Sequence, residues 1–407
     1  MNVPALVIHA HLYQPPREDP VTGLYPVEPG AAPFHDWNEK IAAECYRPIA
    51  PLLERMSFNV GATLFEWLDA KAPEIAGAFV EADRAGIARS GHGGAIAMPY
   101  HHIILPLATR RDKEIEVRWG IRDFERRFGR SPAGMWLPET AVDSETLDVL
   151  ATSGIQFTVL APHQVDTPPP FGQPATVRTS SGRLIAVFVY DGMLSSEVAF
   201  GQLLTDSRAW LTRLTPSAHD IGAPVCVDIA TDGETYGHHH RQGIAALQSV
   251  LDNIGTTGLE ATNYAAFLAR NPPRTFTRVV ERTSWSCAHG VERWRSNCGC
   301  RLVAGTSQAW RSPLREAFDW LRGQIDSILT ASGITIPDDP AVAAKTVPMD
   351  WHARRMFSSC AWFFDYITGV EPLLAIAHAK RACELAGPDG TRLLETLSSR
   401  WQLPIHD

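Results

Sequence analysis

Strong positive charge is the first thing this sequence lacks. The chain of 407 residues carries 37 Lys and Arg residues against 45 Asp and Glu residues, a formal net charge of −8. It has no basic run and no stretch in which basic and aromatic residues alternate. Because nucleic-acid binding depends on neutralising phosphates, the composition argues against a nucleic-acid partner.

Long hydrophobic runs and paired cysteines are also missing. No apolar stretch reaches the roughly 18 residues needed to span a bilayer. The apolar run at residues 5–8 follows no basic segment and precedes no small-residue cleavage site, so we expect no signal peptide and a cytoplasmic location. The seven cysteines are odd in number and mostly scattered, which argues against a disulfide framework.

Strand-like and helix-like segments alternate up to about residue 270. The first strand, residues 5–11, is a continuous apolar run that ends in polar residues, as in a parallel strand buried on both faces. Further strands are predicted at 58–64, 87–90, 134–137, 157–160, 184–190 and 225–230, with helices between them at positions such as 36–56, 112–128 and 144–153. This alternation predicts βαβ units that close a barrel of about seven strands. An open doubly wound sheet is the alternative, although no Gly-x-Gly-x-x-Gly turn follows the first strand.

The character of the chain changes after residue 270. A segment rich in Trp, Cys and Gly spans residues 284–305, and helices are predicted after it at 313–332, 352–368, 372–385 and 391–401. We therefore expect a catalytic β/α barrel over residues 1–275. A cleft loop and an α-helical C-terminal region should occupy residues 276–407.

Two carboxylates stand where predicted strands end. Glu139 follows a short apolar strand and is stiffened by Pro138, and Asp232 follows the strand at 225–230. Because the carboxyl ends of barrel strands form the active-site face, we expect these two acids to form a catalytic pair. The alternatives are that Glu139 caps the next helix and that Asp232 lies in a solvated Asp-Gly turn.

Other polar and aromatic residues at the strand ends are candidates for sugar binding. His9 and His11 alternate on the first strand and so face the same side, either as substrate or metal contacts or as hydrogen-bonded core histidines. Trp136 could stack on a sugar ring, and Glu234 and His238 follow Asp232 closely. Trp362 and Asp365, on a predicted helix, could reach over the cleft or be buried.

The segment at 285–300 has two possible roles. Its Trp285, His289, Arg293 and Trp294 suit a carbohydrate-binding loop. Its Cys287, His289, Cys298 and Cys300 could complete a tetrahedral zinc site, but their spacing is not that of a Cys-x-x-Cys knuckle. We favour reduced thiols beside a sugar cleft and expect no cofactor.

Several of these motifs together resemble glycoside hydrolase family 57. They are HAHLYQPP at 9–16, WLPE at 136–139 and DGETYG at 232–237. The segment at 287–300, followed by CAWFFD at 360–365, is similar to a subgroup of the family with an uncharacterised C-terminal extension. The order and spacing of the motifs carry the resemblance, which covers most of the chain.

The resemblance implies an incomplete (β/α)7 barrel and retaining chemistry on α-glucans without a metal in the chemical step. By position, Glu139 would be the nucleophile and Asp232 the general acid/base, with His9, His11 and Trp136 beside the donor sugar. The family's glycine-rich second motif corresponds to SGHGGAI at 90–96, where this chain lacks the acidic residue of many members. That difference leaves open the substrate and the contacts to the sugar hydroxyls. The expected activity is hydrolysis of α-1,4-linked glucose polymers or oligosaccharides, and the alternative is transfer or branching at the same site.

Two hypotheses that assign the protein to other functional classes stay open at this point. One is a zinc-dependent hydrolase, similar to a polysaccharide deacetylase or a mannosidase, in which His9, His11 and Asp232 would hold the metal. The other is a glucan-binding protein without turnover.

Overall fold

The first strand is buried along its whole length, as its apolar sequence predicts. The computed structural model describes residues 4–214 and 225–400. Its strands are β1 (Ala5–Leu12), β2 (Ser57–Val60), β3 (Phe157–Leu160), β4 (Ala175–Arg178), β5 (Leu184–Val189), β6 (Cys226–Asp232), β7 (Glu260–Ala261) and β8 (Thr275–Phe276). β1 is central, because β2, β6 and β7 all pair with it in parallel.

Short bridges connect two sheets into one curved wall. In order across this wall, β6, β1 and β2 are followed by residues 95–97, residues 134–136, β3 and β5. Parallel bridges join Phe58 to Ala95, Ala97 to Met135, and Gly134 to Phe157. These segments are seven parallel strands in the described part of the chain, and the predicted incomplete (β/α)7 barrel is confirmed. β4 and β8 extend the far sheet beyond β5.

Alternation along the strands sorts side chains into two layers. On β1, Leu6, Ile8 and Ala10 belong to the large apolar core shared with the helices. Ala5 and Val7 belong to a second cluster inside the barrel, with Trp136. Because the side-chain period of a strand is two, His9 and His11 share the inner face. The barrel interior is therefore apolar at one end of β1 and polar at the other.

The α-helices of the barrel region alternate with the strands. They are α1 (Trp37–Ile41), α2 (Arg47–Ile49), α3 (Ala62–Lys71), α4 (Pro73–Ser90), α5 (Arg110–Phe128), α6 (Ser144–Thr152), α7 (Gly192–Phe200), α8 (Ser207–Leu214), α9 (Gly243–Asn253) and α10 (Tyr264–Arg270). A π-helical turn, Ala42–Tyr46, joins α1 to α2, and a 3-10 turn extends the segment to Arg55.

Two strand predictions need correction. Residues 87–90 are the last turn of α4, not a strand, and Gly91 at φ 78° ends that helix in the left-handed conformation. The strand predicted at 58–64 stops at Val60, since Ala62 already begins α3. The third barrel strand lies instead in the glycine-rich segment. A Cβ on Gly94 would lie 2.3 Å from the Met56 carbonyl oxygen, so the strands approach more closely there than a side chain permits.

The C-terminal region is helical, as predicted. Its helices are α11 (Arg311–Ala331), α12 (Pro340–Thr346), α13 (Pro348–Arg355), α14 (Cys360–Phe363), α15 (Val370–Glu384) and α16 (Gly390–Arg400). The single helix predicted at 352–368 is wrong: it breaks at residues 356–359, where Ser358 forms an antiparallel bridge with Ile103. Residue 401, the end of the last predicted helix, lies outside the described residues. Among the residues described, no helix is both long and apolar enough to cross a membrane.

Candidate active site

Glu139 lies in a short 3-10 turn directly after the strand segment at 134–136. Its φ is 57° and that of Thr140 is 49°, in the left-handed region that residues other than glycine rarely adopt. Gln164 fixes the turn, because it accepts a 2.8 Å hydrogen bond from the Thr140 hydroxyl and donates one of 2.8 Å to the Thr140 carbonyl. Such strained backbone persists only where the surroundings over-determine it, and it is common at active sites.

The Glu139 side chain is 9% exposed and tightly held. Its Oε2 accepts hydrogen bonds from the Trp285 indole (2.9 Å) and the Ser286 hydroxyl (2.6 Å). The Glu139 carbonyl accepts a third bond, of 3.0 Å, from the Trp285 backbone N–H. Burial raises the pKa of Glu139, and the two side-chain hydrogen bonds and the charge of Arg293 oppose that rise. These donors stabilise the ionised carboxylate in one orientation.

Helix capping does not explain Glu139. The N-cap of α6 is Asp143, whose carboxylate accepts a 2.7 Å bond from the Thr146 N–H. Ser144, where the predicted helix begins, is the first residue of α6. Glu139 lies four residues before that cap.

Asp232 ends β6, where its Cα pairs with that of His11. Solvent reaches its side chain, yet the protein around it removes enough water to raise its pKa well above the ordinary value. The negative charges of Glu234 and Glu139 raise this pKa further, which places both carboxyls within electrostatic range of Asp232. The Asp-Gly step is not a loose surface turn, because Gly233 is buried and packs against Leu12.

Glu234 is buried and bound by hydrogen-bond donors from the protein. It is 6% exposed, and its Oε1 accepts bonds from the Tyr46 hydroxyl, the Tyr13 N–H (3.3 Å) and the Gln14 amide (3.5 Å). Burial raises its pKa, and these donors oppose the rise. In this structure Glu234 braces the loop after β1.

Three rings stack behind the carboxylates. The Trp136 ring is 4.7 Å from that of His9 and 5.2 Å from that of His11, and it is fully buried. Burial lowers the pKa of His9 to about 3 and that of His11 to about 4, so both imidazoles are neutral. His9 uses both ring nitrogens, one with Ser57 (3.2 Å) and one with Asn59 (3.0 Å). It therefore has no free nitrogen for the metal of the zinc-hydrolase hypothesis.

The C-terminal region contacts this layer of stacked rings through residues that the sequence analysis did not single out. His102, at φ 55°, lies 3.2 Å from His11 between their Nε2 atoms. Its Nδ1 lies 2.7 Å from the Ser359 hydroxyl, and the Tyr13 hydroxyl lies 2.8 Å from that of Ser358. The His101-His102 pair, just past the third barrel strand, was the sequence signal that could have indicated this position.

The other predicted substrate-binding residues are dispersed. Arg293 is buried, and its charge reaches Glu139. His238 pairs with Glu44 of the π-helical turn Ala42–Tyr46, and His289 is exposed. Trp294, Trp362 and Asp365 are buried in internal contacts: the Trp362 indole donates to the Arg311 carbonyl, and Asp365 accepts bonds from the backbone N–H groups of Leu302 and Val303. None of the contacts described for these last three residues includes Glu139 or Asp232.

The cysteine-rich loop gathers its four candidate ligands. The donor atoms of Cys287, His289, Cys298 and Cys300 all lie within 4.8 Å of one another. None of the cysteines is disulfide-bonded. Cys287 directly follows Ser286, so this cluster begins one residue after a donor to Glu139.

Asp228, inside the barrel on β6, should make stability depend on pH. It is 4% exposed and accepts a hydrogen bond from the Tyr264 hydroxyl, and burial raises its pKa to about 8. Because that pKa exceeds the ordinary 3.8, the native protein loses stability as pH rises from about 4 to about 8. Asp228→Asn cannot ionise, so its melting temperature should rise relative to wild type across this window. The exposed control Asp338→Asn should show no such trend, and a difference for Asp228→Asn that does not change with pH would contradict the assignment.

The strained, buried Glu139 and the accessible Asp232 follow two different strands of the barrel. The family model for glycosyl hydrolase family 57 matches residues 32–280, and the chain belongs to that family. Residues 307–347 and 342–397 match a domain of unknown function, DUF3536. No curated protein matches the chain in sequence.

Solved structures share the fold at low sequence identity. An exo-type maltose-forming amylase from Pyrococcus sp. ST04 is 15% identical, with a TM-score of 0.78 over 96% of this chain and 82% of that one. A branching enzyme from Pyrococcus horikoshii is 16% identical, with a TM-score of 0.68 over 99% and 95%. An α-amylase from Thermotoga maritima is 14% identical, with a TM-score of 0.65 over 98% and 97%.

Proposed function

We propose that this protein is a retaining glycoside hydrolase of α-glucans, with Glu139 as nucleophile and Asp232 as general acid/base. The observation that carries the proposal is the contrast between the two carboxyls. Burial raises the pKa of both carboxyls, but at Glu139 the hydrogen bonds from Trp285 and Ser286 oppose that rise and favour the ionised form. Asp232 is accessible, and its raised pKa favours the protonated form. Two acids whose environments differ in this way suit a nucleophile and an acid.

The reaction then follows in two steps. Glu139 attacks the anomeric carbon of the bound sugar while Asp232 gives its proton to the leaving oxygen, so the glycosidic bond breaks and a glycosyl ester forms. Asp232, now ionised, takes a proton from an incoming water as that water attacks the same carbon. The ester breaks, Glu139 is released as a carboxylate, and two inversions leave the anomeric configuration unchanged.

The substrate class rests on the relatives. Two of the similar structures are amylases and another is a branching enzyme, and all of these enzymes process α-linked glucose polymers. Transfer in place of hydrolysis would need only a sugar hydroxyl instead of water at Asp232. Hydrolysis and transfer therefore share the same two residues and differ in their products.

The test is to incubate the purified protein with amylose and with defined maltooligosaccharides. Product lengths are followed by chromatography, and the first-formed anomer by NMR. We expect shortened products with the α configuration. Longer or branched products would replace hydrolysis by transfer, a β product would exclude the retaining route, and binding without turnover would support the glucan-binding hypothesis.

A further inference from the structure

We propose that Cys287, His289, Cys298 and Cys300 form a structural zinc site that holds the loop bearing the Glu139 hydrogen-bond donors. The four donor atoms converge within 4.8 Å although their spacing is not that of a standard knuckle. Three thiol sulfurs and one imidazole nitrogen are a common ligand set for structural zinc. This site is separate from the proposed catalytic carboxylates.

Two of the distances between the donors match a tetrahedron around zinc. With Zn–S bonds of about 2.3 Å and Zn–N bonds of about 2.0 Å, tetrahedral geometry puts two sulfurs about 3.8 Å apart and a sulfur and nitrogen about 3.5 Å apart. The Cys287 and Cys298 sulfurs are 3.9 Å apart. The Cys300 sulfur and the His289 Nδ1 are 3.5 Å apart. A disulfide, in contrast, requires sulfurs about 2.05 Å apart.

The backbone of the loop is shaped to bring the ligands together. Gly290 (φ 80°) directly follows His289, and Gly299 (φ 86°) separates Cys298 from Cys300. At Gly290 a Cβ would lie 2.3 Å from the Arg282 carbonyl oxygen, so a side chain would open this turn. Glycines in the left-handed region permit the two tight turns from which the ligands converge.

Neighbouring groups support thiolate ligands. The Cys298 sulfur accepts a bond of 3.4 Å from the Cys300 backbone N–H and one of 3.9 Å from the Arg311 guanidinium. Arg311 is fully buried. Three thiolates and one Zn²⁺ leave a single negative charge, which this buried cation balances. N–H groups and cations around the sulfurs are the usual surroundings of a metal-bound thiolate.

The site is closed, and it therefore has a structural purpose. Four protein donors fill the tetrahedron and leave no position for a water or a substrate. Because Cys287 follows Ser286 directly, the metal would fix the chain next to the two side chains that bind the Glu139 carboxylate. Chelation would then lower activity without the metal taking part in the chemistry, so metal content and the spectrum of the cobalt form are the decisive readouts.

The experiment measures zinc by mass spectrometry in protein purified without chelator, then repeats the measurement after saturation with zinc and dialysis. We expect about one zinc per chain in wild type and less than about a tenth of that in Cys298→Ser and in Cys300→Ser. Cys383→Ser, which removes a buried thiol outside the cluster, should keep its zinc. Replacement of zinc by Co²⁺ should give a thiolate-to-cobalt charge-transfer band that both cluster variants lose.

Two results would overturn the proposal. One is wild type that, with all its thiols reduced, holds no more zinc than Cys300→Ser and gives no thiolate–cobalt band. The other is a thiol titration that finds a disulfide between cluster cysteines in protein purified without reductant. Circular dichroism of each variant separates loss of metal from loss of fold. All of these readouts are independent of whether the protein cleaves α-glucans.

Discussion

Glu139→Gln should lower kcat on amylose by at least about 10⁴-fold, as expected when a covalent nucleophile is removed. The amide keeps the volume of the side chain and can still accept the bonds from Trp285 and Ser286. It cannot form the glycosyl ester. Because the left-handed backbone at Glu139 does not depend on the charge, the variant should fold like wild type.

The measurement is a rate assay on amylose together with trapping of the ester. A 2-fluoro maltosyl fluoride should label wild type at Glu139, detected by peptide mass spectrometry, and should not label Glu139→Gln. Glu54→Gln, an exposed surface control, should behave like wild type in both assays. Wild-type turnover by Glu139→Gln, or a label on another residue, would remove Glu139 from the role of nucleophile.

Asp232→Asn should impair steps of the reaction other than the one that Glu139→Gln abolishes. Without a proton for the leaving oxygen, kcat/KM on amylose should fall by about 10²–10⁴-fold. Maltosyl fluoride needs no such proton, because fluoride is a good leaving group, so a burst of fluoride should persist. The ester then accumulates, since no base activates water. Azide needs no base, and it should accelerate turnover and give an α-glycosyl azide.

The pH profile provides a second test of Asp232. A general acid must be protonated, and the raised pKa of Asp232 keeps it so at higher pH than an ordinary aspartate. The alkaline limb of kcat/KM on amylose should therefore lie well above pH 4 and should be absent from Asp232→Asn assayed with maltosyl fluoride. Asp338→Asn should keep the wild-type profile. No fluoride burst, or an azide product of β configuration, would rule out the assigned role.

The regular part of the fold was predictable because parallel barrel strands are apolar on both faces. The strand at 157–160 has the bounds predicted for it, and the central strand differs by one residue. The third strand was misplaced because its apolar stretch, residues 95–98, is short and directly follows the glycine-rich residues 91–94.

The candidate site was predictable only where a motif itself bears the chemistry. Glu139 and Asp232 follow apolar strands, and that pattern located them. Nothing local indicates that Ser286 binds Glu139, because 147 positions separate the two. The burial of Trp362 and Asp365 was equally impossible to predict from the sequence, since a predicted helix can place such residues in a cleft or in a core.

Two serines of the C-terminal region decide whether that region can be separated from the barrel. Ser358 contacts Tyr13, and Ser359 contacts His102. These serines lie in the stretch matched by the domain of unknown function, yet they touch the ring layer beneath the proposed catalytic acids. The two matched regions are thus not modules that evolution or an engineer could exchange freely. A chain that ends before residue 307 would expose the imidazoles of His11 and His102 to water. A C-terminal region from another protein would have to supply hydroxyls equivalent to those of Ser358 and Ser359.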